Sequence, residues 1–204
     1  MDSQTLAYYS KNASHLSTIY DEIVSNLSLK FETAFHPHSK ILDIGCGSGR
    51  DLSVLHGLGH DCYGVEPTPE FIALAQQAHP ALKGKITYGV LPKLSPLFHG
   101  EFNGVLCSAV LMHIAVADLE DSAIEIKNCL KIGGRLLYSV PTKRLDVLDN
   151  DRNANGRLFV PNQSLRLLAL FEKLGFITLN TWTSADSFGR NQAQWASVLM
   201  ERKL

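Results

Sequence analysis

Apolar and polar positions follow two rhythms along this chain, and the two take turns. Residues 5–29 place Leu16, Ile19, Ile23 and Leu27 at helical spacing with polar residues between them, which predicts an amphipathic helix. A link at residues 36–40, where Pro37 favours extended backbone before it, leads to a short apolar run at 41–44 that reads as a strand. There follow a helix at 50–58, stopped by Gly57 or Gly59, a strand at 61–66 and a helix at 69–79. In that helix Thr68 is placed as N-cap and Pro69 at the first helical position. A strand at 85–88 precedes residues 89–100, whose two prolines point to a loop or short helix. Residues 104–107 are nearly all apolar, as a central parallel strand covered on both faces should be. Asp118 caps a helix running to about Leu130. Lys131-Ile132-Gly133-Gly134 ends it, and residues 135–140 form the next strand. Residues 144–156 read as a long polar loop, a length more often functional or disordered than idle. A helix at 162–174 and strands at 176–183 and 194–201 close the chain. Alternation of this kind predicts an α/β fold, a doubly wound, mostly parallel sheet.

The most specific segment lies between the first strand and its helix: Ile41-Leu42-Asp43-Ile44-Gly45-Cys46-Gly47-Ser48-Gly49-Arg50-Asp51. A strand that turns tightly into a helix needs glycine, because the backbone must enter conformations closed to residues with a Cβ. The same turn presents main-chain N–H groups at a helix N-terminus, where a nucleotide-like ligand can approach. The dinucleotide pattern G-x-G-x-x-G is not met, since Arg50 stands where its last glycine belongs, and the Gly-Lys-Ser/Thr of a P-loop is missing. The second strand ends in Glu66, about twenty residues beyond the loop, where a ribose-binding acid is expected. Its two oxygens can accept from both ribose hydroxyls.

The loop resembles motif I of the class I S-adenosylmethionine-dependent methyltransferases, Asp-x-Gly-x-Gly-x-Gly. Further segments are similar to that family. Glu101-Phe102-Asn103-Gly104-Val105-Leu106 resembles the entry to its fourth strand, with Asn103 in place of the usual Asp. Ser108-Ala109-Val110-Leu111-Met112-His113 resembles the segment after it, Leu130-Lys131-Ile132-Gly133-Gly134 the turn before strand five, and Leu91-Pro92 the Leu-Pro after strand three. Gly189-Arg190 and Trp195 are similar to a Gly-Arg…Trp pattern of small bacterial members. The resemblance implies a seven-stranded sheet ending in an antiparallel hairpin, with S-adenosylmethionine as cofactor. It divides the chain into a helical cap and linker at 1–39 and a cofactor-binding domain at 40–204. The implied cofactor set is Asp43, Gly45, Cys46, Gly47, Gly49, Arg50, Glu66, Pro67, Ser108 and Val110. Many members meet the adenine amino group with an Asp where Val90 stands here, so that contact would fall to main chain around Val90 and Leu91.

Composition narrows the partners. The 204 residues suffice for one domain with a real core. Nineteen Lys+Arg against twenty Asp+Glu leave a net charge of −1, which argues against strong nonspecific nucleic-acid binding. No apolar run approaches a bilayer span and the N-terminus lacks a signal-peptide profile, so a soluble, cytoplasmic protein is expected. Cys46, Cys62, Cys107 and Cys129 form no C-x-x-C pair, and no metal site is indicated.

The candidate general base is His113, beyond the strand whose carboxyl end faces the cofactor; a structural hydrogen bond in the site wall is the alternative. Tyr9, with Tyr8 and Tyr20, belongs to a helix able to act as a lid. Arg144, Arg152 and Arg157 lie where substrate loops often sit and could grip a carboxylate or phosphate. The Asn/Asp-Pro-Pro-Tyr of base-amine methyltransferases and the Pro-Cys of cytosine C5 enzymes are both missing. A small-molecule methyl acceptor is therefore expected. RNA or protein acceptors, and a noncatalytic protein that kept the fold, stay as alternatives.

Overall fold

The computed structural model describes residues 1–94, 98–148, 150–189 and 193–204. Its strands are β1 (Lys40–Ile44), β2 (Asp61–Glu66), β3 (Ile86–Tyr88), β4 (Phe102–Ser108), β5 (Leu130–Lys143), β6 (Phe176–Ala185) and β7 (Gln194–Arg202). They form one seven-stranded sheet in the order β3-β2-β1-β4-β5-β7-β6. β1 through β5 pair in parallel, and β7 runs antiparallel between β5 and β6. From β1 the chain winds outward to β3, then returns to the other side of β1 at β4. That reversal opens a crevice beyond the carboxyl ends of β1 and β4, the usual ligand position in such sheets.

The helices are α1 (Ser3–Glu22), α2 (Phe31–Ala34), α3 (Arg50–Gly57), α4 (Pro69–Ala78), α5 (Leu119–Cys129) and α6 (Gln163–Lys173). Two cores sandwich the sheet because successive strand residues face opposite sides. Leu42, Val105, Cys107, Leu136, Tyr138, Val198 and Met200 join Ile126 of α5 and Phe171 of α6 on one face. Ile41, Leu106, Leu137 and Leu199 join Phe31 and Ala34 of α2, Leu52 and Leu55 of α3 and Ala75 of α4 on the other. Among the described residues no helix is long and apolar enough to cross a membrane.

The elements differ from the sequence expectation in three places. The helix expected over 5–29 stops at Glu22, where Ile23 turns extended at φ −108° and ψ 127°. Ser25 then takes the amide of Leu27 on its hydroxyl, a local bond that competes with helix. Leu27, Phe31 and Phe35 do not continue the α1 stripe; they enter the second core. Asp118 makes no side-chain cap, and the expected turn at 131–134 lies inside β5, which begins at Leu130 opposite Phe102 with a register shift before Gly104. The described residues of 144–156 are joined by local hydrogen bonds. Asn153 is buried and its side-chain oxygen accepts from the amides of Asn155 and Arg157, while Arg152 bridges Leu158.

Residues of the linker region are thus part of the core. Phe31→Ala removes a ring with no solvent exposure and is expected to cost about 3–5 kcal/mol. Urea unfolding with an unchanged slope checks this, and a loss below about 1 kcal/mol would show that the segment merely rests on the domain.

Candidate active site

The loop after β1 is held in a conformation that demands glycine. Gly45, Gly47 and Gly49 have φ of 75°, 53° and 79°, in the left-handed region where a side chain is strained. Gly45 is also crowded: a Cβ there would stand 2.5 Å from Cγ2 of Val110, beyond β4. At Gly47 a Cβ would meet open space, on the border of a cavity of about 520 Å³. Gly49 lies deeper, against Ala75, His79 and Leu82, and starts α3.

Two buried carboxylates face this loop. Glu66 accepts from the Gly47 amide at 2.9 Å and from the Thr68 amide at 3.0 Å, one on each oxygen. Each oxygen keeps an acceptor position free of these bonds. Thr68 therefore serves through its backbone, and its hydroxyl makes no cap, although Pro69 does occupy the first turn. Burial raises the Glu66 pKa, against the lowering effect of those bonds. Asp43 is buried, lines the cavity, and its Oδ1 has no partner. Burial first, then the charges of Asp51 and Glu66, push its pKa well above the ordinary carboxylate value, with Arg50 opposing. A buried acid in this state calls for a cation or donor beside it. The Arg50 guanidinium does not supply that need. It is tied to Asp51 at 2.9 and 3.2 Å and reaches the Tyr20 carbonyl of α1 at 3.3 Å.

Away from these acids the cavity is aromatic and cationic. His113, buried after β4, has Nδ1 2.5 Å from the Leu158 carbonyl and Nε2 3.1 Å from the Tyr9 hydroxyl. A carbonyl only accepts, so Nδ1 carries the proton and the Tyr9 O–H donates to Nε2. Burial lowers the His113 pKa to about 4, the Leu158 bond opposes, and Arg157 and Arg144 lower it further. Arg157 lies over the Tyr8 ring at 4.5 Å with Nη1 3.5 Å from the Tyr9 oxygen, and its Nε is buried without a partner. Arg144 lies 4.0 Å from the Phe159 ring and is paired with Asp146 at 2.8 and 2.5 Å.

α1 roofs the cavity with Tyr8, Tyr9, Leu16, Ile19 and Tyr20. It is stitched down at both ends. Asp2 caps Thr5 and pairs with Arg152 at 2.7 Å, Thr5 accepts the Leu158 amide, and Asp21 takes the hydroxyl of Ser48 from the glycine loop.

Comparison with known proteins agrees with this geometry. Residues 42–138 match the model of a methyltransferase domain family. The match takes in just under half of the chain, which in that stretch is similar to a methyltransferase domain. Human mitochondrial ubiquinone biosynthesis O-methyltransferase is 35% identical over 109 residues, which is 51% of this chain and 29% of that protein. The match thus spans under a third of that curated relative. The 1,6-didemethyltoxoflavin-N1-methyltransferase of Burkholderia thailandensis, solved with 1,6-didemethyltoxoflavin and S-adenosylhomocysteine, superposes with a TM-score of 0.77 at 16% identity, covering 98% of this chain and 88% of that one. The [4+2]-cyclase SpnF superposes at 0.76 and 14% identity, covering 98% and 95%. The shared fold therefore does not choose a reaction, and the site must.

Of the residues expected in the methyltransferase site, Asp43, Gly45, Cys46, Gly47, Arg50, Glu66, Ser108, Val110, His113, Tyr9, Arg144 and Arg157 line the cavity. Gly49 supports it from below. Pro67, Val90 and Leu91 are not among the lining residues, and the Leu91 carbonyl bonds the Met1 ammonium at 3.1 Å. Arg152 faces Asp2 and Gly156 rather than the cavity, because the half-buried N-cap carboxylate of α1 lies within its reach. Trp195 lines the cavity and its Nε1 donates to Asp186; Arg190 lies outside the described residues. Phe159 and the Leu158 carbonyl went unseen in the sequence, since nothing local marks a residue that acts by packing under a distant histidine.

Two expectations follow. Asp43→Asn removes a buried acid whose ionised form has no partner, so the ligand-free protein should melt a few degrees higher where that acid ionises, while S-adenosylmethionine should then shift the melting temperature less than in wild type. A lower melting temperature for the unliganded variant would show that the charge stabilises the loop. For His113 the folded value of about 4 lies below the 6.5 of an unperturbed histidine. The unfolded chain takes up a proton between pH 6.5 and 4 that the native state refuses, so stability falls with pH through that window, by about 3 kcal/mol in all. Denaturation across that range should show His113→Gln losing about one proton's worth of slope; equal slopes would sink the assignment.

Proposed function

We propose that the protein transfers a methyl group from S-adenosylmethionine to a small-molecule acceptor bound under α1. The carrying observation is the pair of buried carboxylates at the glycine loop, one tethered across it and one without a partner. When bound, S-adenosylmethionine supplies a methyl group on a positively charged sulfur. Glu66 has the free acceptor positions to take both ribose hydroxyls, and Asp43 offers the carboxylate its ammonium group needs. The glycines admit the ligand against main chain, and α1 excludes water from above.

The acceptor side fits a small molecule. It lies under a helix inside a cavity of about 520 Å³, in the usual range for small-ligand sites. Among the described residues, the arginines that would favour RNA are engaged elsewhere: Arg152 pairs with Asp2, and Arg144 with Asp146 beside Phe159. Tyr9 and His113 position the acceptor, the imidazole holding the phenol and the Leu158 carbonyl holding the imidazole. Four unpaired, buried cysteines suit a reducing compartment, in keeping with a cytoplasmic enzyme.

Isothermal titration with S-adenosylmethionine and, separately, NAD tests the reading. Wild type should bind the first and not the second. Glu66→Ala should weaken binding 10- to 100-fold, the loss of one or two charge-assisted hydrogen bonds. A wild type that ignores S-adenosylmethionine, or prefers NAD, would overturn the proposal.

A further inference from the structure

The three candidate arginines beyond β5 are not equivalent, and their difference names an acceptor chemistry. Arg152 is held by Asp2, and Arg144 by both oxygens of Asp146. Arg157 makes no ion pair among the described residues. Its one side-chain hydrogen bond is a 3.5 Å contact to the Tyr9 hydroxyl, and its Nε has none. Its guanidinium is flanked by the rings of Tyr8 at 4.5 Å and Phe159 at 5.3 Å. A guanidinium fork held between aromatic faces, with donors left over, is suited to a planar carboxylate or similar oxyanion.

The charges around it point the same way. Asp43, Asp51 and Glu66, the acids lining the cavity, act on one another at the glycine loop. His113, at the other side, is acted on by Arg157 and Arg144, with Asp2 opposing; Asp2 is held by Arg152 and Arg144 by Asp146, which leaves Arg157 as the unpaired charge there. An anion entering beside Arg157 thus meets uncompensated positive charge and no lining carboxylate.

We infer that Arg157 anchors an anionic oxygen group, carboxylate or phosphate, carried on the acceptor. This rests on the methyltransferase reading for the word acceptor, but the subsite itself does not. Arg157 acts here as a binding residue; Tyr9 and His113 set its neighbour's orientation.

Titration of protein saturated with S-adenosylhomocysteine tests it, with benzoate, phenyl phosphate and the uncharged isostere benzamide as probes. Either anion should bind at least tenfold tighter than benzamide, and which of the two binds better distinguishes the groups. Arg157→Gln should bring the anion down to the benzamide level, and Arg157→Lys should keep part of the preference. Because Arg157 also ties α1 to the loop below it, Arg152→Gln serves as control. It loosens the same helix without touching the cavity, and it should keep the preference. Anions bound no better than benzamide, a preference surviving in Arg157→Gln, or an equal loss in Arg152→Gln would each overturn the inference. If S-adenosylhomocysteine itself does not bind, the methyltransferase reading falls, and the same comparison run without it still decides the subsite.

Discussion

The Glu66 carboxylate, bonded at once to the Gly47 and Thr68 amides, is the contact on which the site depends. It ties the loop after β1 to the first turn of α4, two segments that follow neighbouring strands. Without it the glycine loop has positive φ at three positions and little reason to stay in one of its many accessible conformations. The same acid is then already placed and desolvated for a ligand. Its cost is the crowding of three acids in one corner, which Arg50 offsets from the side by gripping Asp51. Like charge gathered in one place is usual where a structure is shaped for a ligand.

From that corner the cavity changes sign. Acids stand by the loop, and aromatic rings and guanidinium groups stand under α1. The helix that roofs it is not independently stable cover. Its stripe is only moderately apolar, and its hold comes from a few polar stitches: Asp2 to Arg152, Thr5 to the Leu158 amide, Asp21 to Ser48. Such bonds are individually worth about 1 kcal/mol, so they fix the helix in place without making its opening prohibitive. The aromatic contacts between Tyr9, His113 and Phe159 run through the same seam. The helix is thus joined to the wall that carries His113 through these ring contacts as well as through its polar stitches.

Local patterns made much of this legible in the sequence. All seven strands, the glycine loop and Glu66 followed from apolar runs, turn residues and spacing, each encoded within a few positions. The misses share a physical cause. The end of α1 at Glu22 was hidden because Leu27 kept the helical spacing while its side chain answered to the core below the sheet. β5 began early because pairing with Phe102 outweighed the Gly133-Gly134 signal. Among the three loop arginines, nothing in the residue type tells which will find a carboxylate. That was decided by Asp2 and Asp146, one distant in sequence by 150 positions and one by two.

His113 shows most clearly how position overrides residue type. A histidine after the fourth strand invites the role of general base, which works best with a pKa near the operating pH. Here the ring is buried, its Nδ1 proton is spent on the Leu158 carbonyl, and its Nε2 lone pair faces the Tyr9 hydroxyl. With two guanidinium groups nearby and a pKa near 4, it is neutral at physiological pH and a weak base. Any proton it took would also have to come through Tyr9. The arrangement is better suited to fixing the direction of a phenol than to removing a proton.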